Sequence, residues 1–195
     1  MQGAGRILSA VSRRCQGWSI PGWFAVAMGL WIAAVLLVVR AADPGLVIVI
    51  RGTARASFAL FTISFAAEGL RGMRWLSDNR GYLFLAFTVS HLYHAAAIIA
   101  LAVVTDGESV GGKLDVTHLL GALIYLAMVA IAIGYAINRG TEPARQPWCF
   151  LHKGGQYAIW IAFTLAYATK SLDDPTAIPL ALVSLLAVPL RWRKP

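Results

Sequence analysis

Residues 81–104, GYLFLAFTVSHLYHAAAIIALAVV, decide the fold class of this chain. The stretch is predominantly apolar and contains no Asp, Glu, Lys or Arg. As a helix it would be about 36 Å long, at 1.5 Å per residue. That is enough to cross the hydrocarbon core of a bilayer, which is roughly 30 Å thick. The sequence therefore predicts a transmembrane helix here.

The composition of the whole chain agrees with a membrane protein. Hydrophobic residues make up 58% of the 195 residues, charged residues make up 13%, and the mean hydropathy is +0.67. Soluble domains carry roughly 25% charged residues. The net charge of +8 does not indicate nucleic-acid binding, because the basic residues lie at the ends of apolar runs and form no patch. Cys15 and Cys149 belong to no metal-binding or haem-attachment motif.

Five further apolar runs complete the predicted architecture, a single all-α transmembrane domain over residues 1–195. It is a six-helix bundle with expected spans at 19–39, 53–70, 81–104, 117–137, 148–169 and 176–190. The apolar run 46–50 follows a turn signal at Asp43-Pro44-Gly45 and is too short to cross. It is predicted to extend the first helix or to lie in the membrane interface.

The basic residues predict the orientation of the bundle. With the N-terminus in the cytoplasm, twelve of the 17 Lys and Arg residues fall on the cytoplasmic side, which places both termini there. The first apolar run is too long for a signal peptide, so we interpret it as a retained helix. The compact chain without a transit peptide favours a multi-pass protein of the bacterial inner (cytoplasmic) membrane.

Histidines are the most informative local feature, because polar side chains are costly inside a membrane. His91, His94, His118 and His152 all fall within the predicted spans or at their edges. His91 and His94 share one face of the third helix, and His152 lies near the start of the fifth. Both helices run in the same direction, so these imidazoles are candidates for holding one b-type haem between them. The structural alternative is hydrogen bonding to a neighbouring helix, and it is favoured for His118.

Other residues fit either interpretation. The cytoplasmic cations, Arg80 and Lys153 among them, are topology signals first and candidate partners of haem propionates second. Gly154 and Gly155 predict that a flat group or another helix packs closely against the fifth helix. Glu68 is a candidate proton site, although an i,i+3 pair with Arg71 explains it more simply.

Three motifs resemble the ferric reductase-like transmembrane domain family, which includes the membrane cores of NADPH oxidases and the haem subunit of the bacterial methionine-sulfoxide reductase system. They are RGTARASFAL at 51–60, NRGYL at 79–83 leading to SHL at 90–92, and WCFLHK at 148–153. The resemblance covers roughly residues 51–170. It implies a six-helix bundle that transfers electrons through b-type haem, with His91 and His152 binding the haem iron and His94 as a substitute for His91. Two-haem members carry a further histidine on the fifth helix, where this chain has Leu165.

The sequence therefore predicts at most one haem. The leading hypothesis is a b-type cytochrome that passes electrons from a quinol or a partner reductase to another acceptor, and it leaves open whether the chain belongs to an oxidoreductase. The alternative is a haem-free accessory subunit that packs in and stabilises a larger membrane complex. Imidazoles that point into a common cavity would favour haem, and separate helix contacts would favour the subunit. A transporter is disfavoured, because no span has an acidic residue near its middle.

Overall fold

A computed structural model describes residues 17–39, 42–70, 72–105, 116–138 and 148–192 of the chain. These residues form six α-helices and no strand. The helices are α1 Ser19–Val39, α2 Ala42–Ala66, α3 Arg74–Val104, α4 Val116–Ile137, α5 Trp148–Asp173 and α6 Ile178–Trp192, and a 3-10 turn, Pro175–Ala177, precedes α6. The predicted all-helical fold is confirmed.

Four stretches are long and apolar enough to cross a membrane: Ser19–Val39, Pro44–Ala66, Arg74–Val104 and Pro175–Trp192. In α4, the segment Gly121–Ile137 is a shorter apolar helix. These helices of the described part support a multi-pass membrane protein. Six crossings and two cytoplasmic termini stay predictions.

The second helix begins earlier than expected. The prediction for residues 46–50 was wrong, since this run belongs neither to α1 nor to a separate interfacial segment but to the first turns of α2. Pro44 does not prevent this, because proline is tolerated in the first turn of a helix, where its missing N–H would have no intrahelical partner. The apolar run then continues the helix to Ala66.

Five of the helices close into a ring. α2 packs against α3, α3 against α4, α4 against α5, α5 against α6, and α6 returns to α2. α1 lies outside this ring against α2 and α3. Gly52 makes that approach close, because a Cβ atom at this position would overlap the ring of Trp31. Most of α1 is therefore left to face lipid.

Aromatic and aliphatic side chains fill the inside of the ring. The core cluster comprises Phe61, Phe65, Phe84, Leu85, Phe87, Met128, Ile131, Ala132, Tyr135, Ile159 and Ala187. Many of the rings meet edge to face or tilted, as Phe61 does with Phe84 and Phe87, which is the arrangement that aromatic quadrupoles favour. The interior is thus a packed core.

Hydrogen bonds establish which helix ends meet. The Gly17 N–H donates to Asn79 Oδ1 over 2.9 Å, which joins the start of α1 to the start of α3. The Ser64 hydroxyl donates to the Arg80 carbonyl over 2.8 Å, which joins the end of α2 to the same place. Arg191, near the end of α6, also lies there. We call this the Arg191 end of the bundle, and the opposite end the Arg51 end.

Candidate functional site

The predicted ligand histidines lie in two separate polar regions of the bundle. The first surrounds His91 and His94 on α3, and we call it the α3 histidine cluster. The second lies at the Arg191 end and contains Glu68, Arg80, Tyr135, His152, Gln156 and Arg191; we call it the Glu68–Arg191 network. The structure thus brings His91 and His94 together, as their i,i+3 spacing predicts, and leaves His152 elsewhere.

His94 is turned towards α2. Its Nδ1 lies 3.1 Å from the Ile50 carbonyl oxygen and 3.2 Å from Thr53 Oγ1. Because the carbonyl can only accept, Nδ1 carries the proton in this contact. One turn below, the Ser57 hydroxyl donates to Ser90 Oγ over 3.0 Å. His94 therefore acts as part of a polar seam that joins α2 to α3.

His91 faces the interior and is surrounded by rings. Its centroid lies 4.8 Å from that of Tyr125, 5.4 Å from that of Phe87, 5.5 Å from that of His94 and 5.9 Å from that of Phe163. Its Nδ1 is buried and has no hydrogen-bond partner among the described residues. An unpaired buried nitrogen is unusual, and it makes His91 the more distinctive of the two α3 histidines.

His152 is buried at the other end of the interior, with 2% of its surface exposed. Its Nε2 lies 3.1 Å from Gln156 Nε2, so the amide can donate to an unprotonated ring nitrogen. The Tyr135 ring meets the imidazole edge to face at 4.4 Å, and Gln156 also donates to the Tyr135 hydroxyl over 3.0 Å. His152 is thus held by α4 and by its own helix.

Arg191 links His152, through Gln156, to the carboxylate of Glu68. Its guanidinium donates to Gln156 Oε1 over 2.7 Å and to the Phe65 carbonyl over 3.3 Å. It also forms an ion pair with Glu68 Oε2 at 2.7 Å, and it lies 4.3 Å from the centroid of the Phe65 ring. One arginine side chain therefore ties together α2, α5 and α6.

The remaining predicted site residues lie around this network. Arg80 Nη1 is 3.9 Å from Glu68 Oε2, so Arg80 belongs to the Glu68–Arg191 network. Lys153 is exposed beside His152. Arg71, the expected partner of Glu68, lies outside the described residues, and so does the side chain of His118. The sequence gives no local signal for Arg191, Gln156 or Tyr135, because their contacts join residues 21, 35 and 126 positions apart.

The two glycines of α5 have different surroundings. A Cβ atom on Gly155 would lie 2.6 Å from Ile131 Cδ1, whereas one on Gly154 would meet nothing within 4 Å. Of the two alternatives for this pair, the structure has another helix, α4, against Gly155.

The distance between the histidines is fixed by α4, which contacts both. Tyr125 stacks on His91, and Tyr135 meets His152 ten residues later. Ten residues of helix rise about 15 Å. Two imidazoles that bind one haem iron must approach the same atom from opposite faces. As packed, the residues that the resemblance implies as ligands therefore do not fit a shared bis-histidine haem.

Comparison with protein-family models, curated proteins and solved structures finds no match to this chain. Among the described residues, no three His, Cys, Asp or Glu side chains lie close enough together to hold a metal ion.

Proposed function

We propose that the chain is a haem-free, multi-pass subunit that packs within a larger membrane complex. The observation that supports this most directly is that Tyr125 contacts His91 whereas Tyr135, ten residues later on α4, contacts His152, an offset of about 15 Å along that helix. Each imidazole has its own set of contacts among the described residues. Separate helix contacts of this kind are what a structural role for intramembrane histidines requires.

The filled interior supports the same proposal. Phe84 and Phe87 stand between the two histidines, with ring centroids 5.2 Å apart. Phe87 in turn lies 5.4 Å from His91, and Phe84 lies 5.5 Å from Tyr135. A porphyrin between the histidines would have to displace these rings, and a packed core resists such changes of volume.

The described residues lie almost entirely in helices, which agrees with a subunit that acts within the membrane. The segments between helices are short, the longest covering residues 105–115. No G-x-G-x-x-G stretch is present to bind a dinucleotide. The described helices therefore supply membrane-embedded surface that partner subunits can contact.

A second candidate is the b-type cytochrome, in which one haem receives electrons from a quinol or a partner reductase. The observation that favours it is the buried Nδ1 of His91, which has no hydrogen-bond partner among the described residues. The aromatic rings around His91 also form a suitable environment for an apolar macrocycle. In this candidate the iron ligands are His91 or His94 together with His152, and Arg80 and Lys153 are the proposed propionate partners.

A reduced-minus-oxidised absorption spectrum separates the two candidates. The chain is purified in mild detergent from cells supplied with a haem precursor, and the haem-free subunit is expected to give no α-band. A b-type α-band that disappears in His91→Ala or His152→Ala would establish the cytochrome instead. A b-type cytochrome purified from the same cells controls for haem supply.

Membership of a complex is tested without reference to haem. Chemical cross-linking in native membranes is expected to yield the chain in species larger than one copy. Recovery of the single chain alone, under conditions that cross-link a known membrane complex, would contradict this part of the proposal.

A further inference from the structure

The Arg51 end of the bundle contains a basic crevice. A cavity of about 150 Å³ lies between α2, α5 and the turn that joins α5 to α6. Arg51 and Arg55 line it from α2, and Lys170 lines it from α5. Asp174 is the single carboxylate among the described residues that line it. We call this cavity the Arg51 crevice.

Asp174 is engaged locally. Its Oδ1 accepts hydrogen bonds from the Thr176 backbone N–H over 3.0 Å and from the Thr176 hydroxyl over 2.7 Å, and it thereby caps the 3-10 turn. The ion pairs within the described part of the chain both involve Glu68, at the opposite end of the bundle. The Arg51 crevice therefore has an excess of positive charge.

The position of these cations is costly for the protein. Arg51 and Arg55 lie within the apolar stretch Pro44–Ala66, about 10 Å and about 16 Å along the helix from Pro44. They are also one turn apart on the same face, where like charges repel. Charges inside a membrane-spanning segment are expensive unless they are paired or reach water.

Topology does not explain the cations either. In the predicted orientation the Arg51 end faces away from the cytoplasm, and basic residues there oppose the rule that sets orientation. Three cations around one cavity therefore require another role, and neutralisation by a bound anion provides one.

We propose that the Arg51 crevice binds a phosphate-bearing anion, and that in the membrane this anion is the headgroup of an anionic phospholipid. Two guanidinium forks and an ammonium match the oxygens of a phosphate. Basic pockets between transmembrane helices are suited to such headgroups. Ile50, Ala54 and Leu180 give the crevice an apolar side that can contact the glycerol and the upper acyl chains.

The test uses the full chain in a neutral detergent, titrated with phosphatidylglycerol or with phosphatidylcholine and followed by native mass spectrometry. Phosphatidylglycerol is expected to bind at least about tenfold more tightly than phosphatidylcholine, a difference of roughly 1.4 kcal/mol. Arg55→Gln and Lys170→Gln are each expected to remove most of that preference. Arg74→Gln makes the same change of charge at an exposed position of the Arg191 end and is expected to keep it.

A parallel arm identifies the source of the phosphate. Inorganic phosphate is added to the chain in phosphatidylcholine nanodiscs, and the thermal midpoint is recorded. A rise in the wild type that is absent in Arg55→Gln, without a preference for phosphatidylglycerol, would support the site with a soluble ligand. The proposal is overturned if neither probe distinguishes wild type from folded Arg55→Gln and Lys170→Gln. Anion binding at the Arg51 crevice does not depend on whether the chain contains haem. The test of the proposed function and the test of this site can therefore fail independently.

Discussion

The two ends of the bundle differ in whether their charged side chains form ion pairs with described residues. At the Arg191 end, the Arg191 side chain is 5% exposed, and its guanidinium contacts Glu68, Gln156 and a backbone carbonyl. At the Arg51 end, Arg51, Arg55 and Lys170 surround a cavity and form no ion pair with a described residue. At the Arg191 end, the charged side chains pair with one another and hold helices together. At the Arg51 end, the cations are left available to a ligand. Removing Arg191 should therefore destabilise the protein, whereas removing a cation of the Arg51 crevice should change only binding.

Arg191→Ala is the most severe test of this contrast. It removes the closer of the two cationic partners of Glu68, the other being Arg80. It also leaves the Gln156 side-chain oxygen and the Phe65 carbonyl without the guanidinium donor. We expect the free energy of unfolding to fall by about 3 kcal/mol, the lower end of the range for a broken buried pair. Glu68 keeps 30% of its side chain exposed, which allows water to compensate partly. Unfolding in detergent by increasing SDS measures the change.

Arg74→Ala is the matched control, since it removes an exposed arginine from the same end of the bundle. Its effect should stay within about 0.5 kcal/mol. The double variant Glu68→Met/Arg191→Met should be more stable than Arg191→Ala, because no uncompensated charge is left. Equal stability of Arg191→Ala and Arg74→Ala would mean that the Glu68–Arg191 network does not hold the helices.

Close backbone packing at the Arg191 end provides a second test of the difference between the two ends. A Cβ atom on Gly69 would overlap the carbonyl oxygen of Leu190, the residue before Arg191. Gly69→Ala should therefore push α6 away from α2 and lower the free energy of unfolding by about 2 kcal/mol, as overpacking does. Gly72→Ala, three residues later, would meet nothing within 4 Å and should change little. The same unfolding assay compares them, and equal losses would place the close contact elsewhere.

Much of the fold could be predicted from sequence because the relevant signals are local. An apolar run of sufficient length specifies a helix wherever it lies, and residues 81–104 fall inside α3, Arg74–Val104. The i,i+3 spacing of His91 and His94 likewise fixes a shared face without any knowledge of neighbours. The first residue of a helix is specified less fully by local sequence. The second helix, α2, begins at Ala42 because its proline is compatible with a first turn.

The candidate site depends on relations that are not local. Counted from the predicted helix starts, His91 lies about 10 Å deeper than His152. Whether that offset is kept or closed depends on how α5 and α3 pack along α4, which the spacing within one helix does not determine. The pairing of Arg191 with Glu68 joins the last helix to the end of the second. In sequence, Arg191 is one member of a terminal basic cluster and matches a topology signal. Only the packed bundle distinguishes it from its neighbours.

The smallest expected effect concerns the turn at the Arg51 end. The hydroxyl and backbone N–H of Thr176 donate to the Asp174 carboxylate, and with the nearby charges of Lys170 and Arg55 they lower the pKa of Asp174 below its usual value near 3.8. A lowered folded-state pKa contributes stability above the unfolded pKa, and that contribution is lost as the pH falls through the folded pKa. The difference in thermal midpoint between wild type and Asp174→Asn should thus be constant from about pH 7 to pH 5 and shrink below about pH 4.

Because this turn is held by two hydrogen bonds and by no ion pair within the described part, the difference at neutral pH should be smaller than that caused by Gly69→Ala. Thermal scans of both proteins at pH 7 and pH 3 give the comparison. A difference independent of pH would show that the charge of Asp174 does not act on folding. A loss as large as that of Arg191→Ala would erase the distinction between the two ends, because the Arg51 end would then also depend on a charged group for its packing.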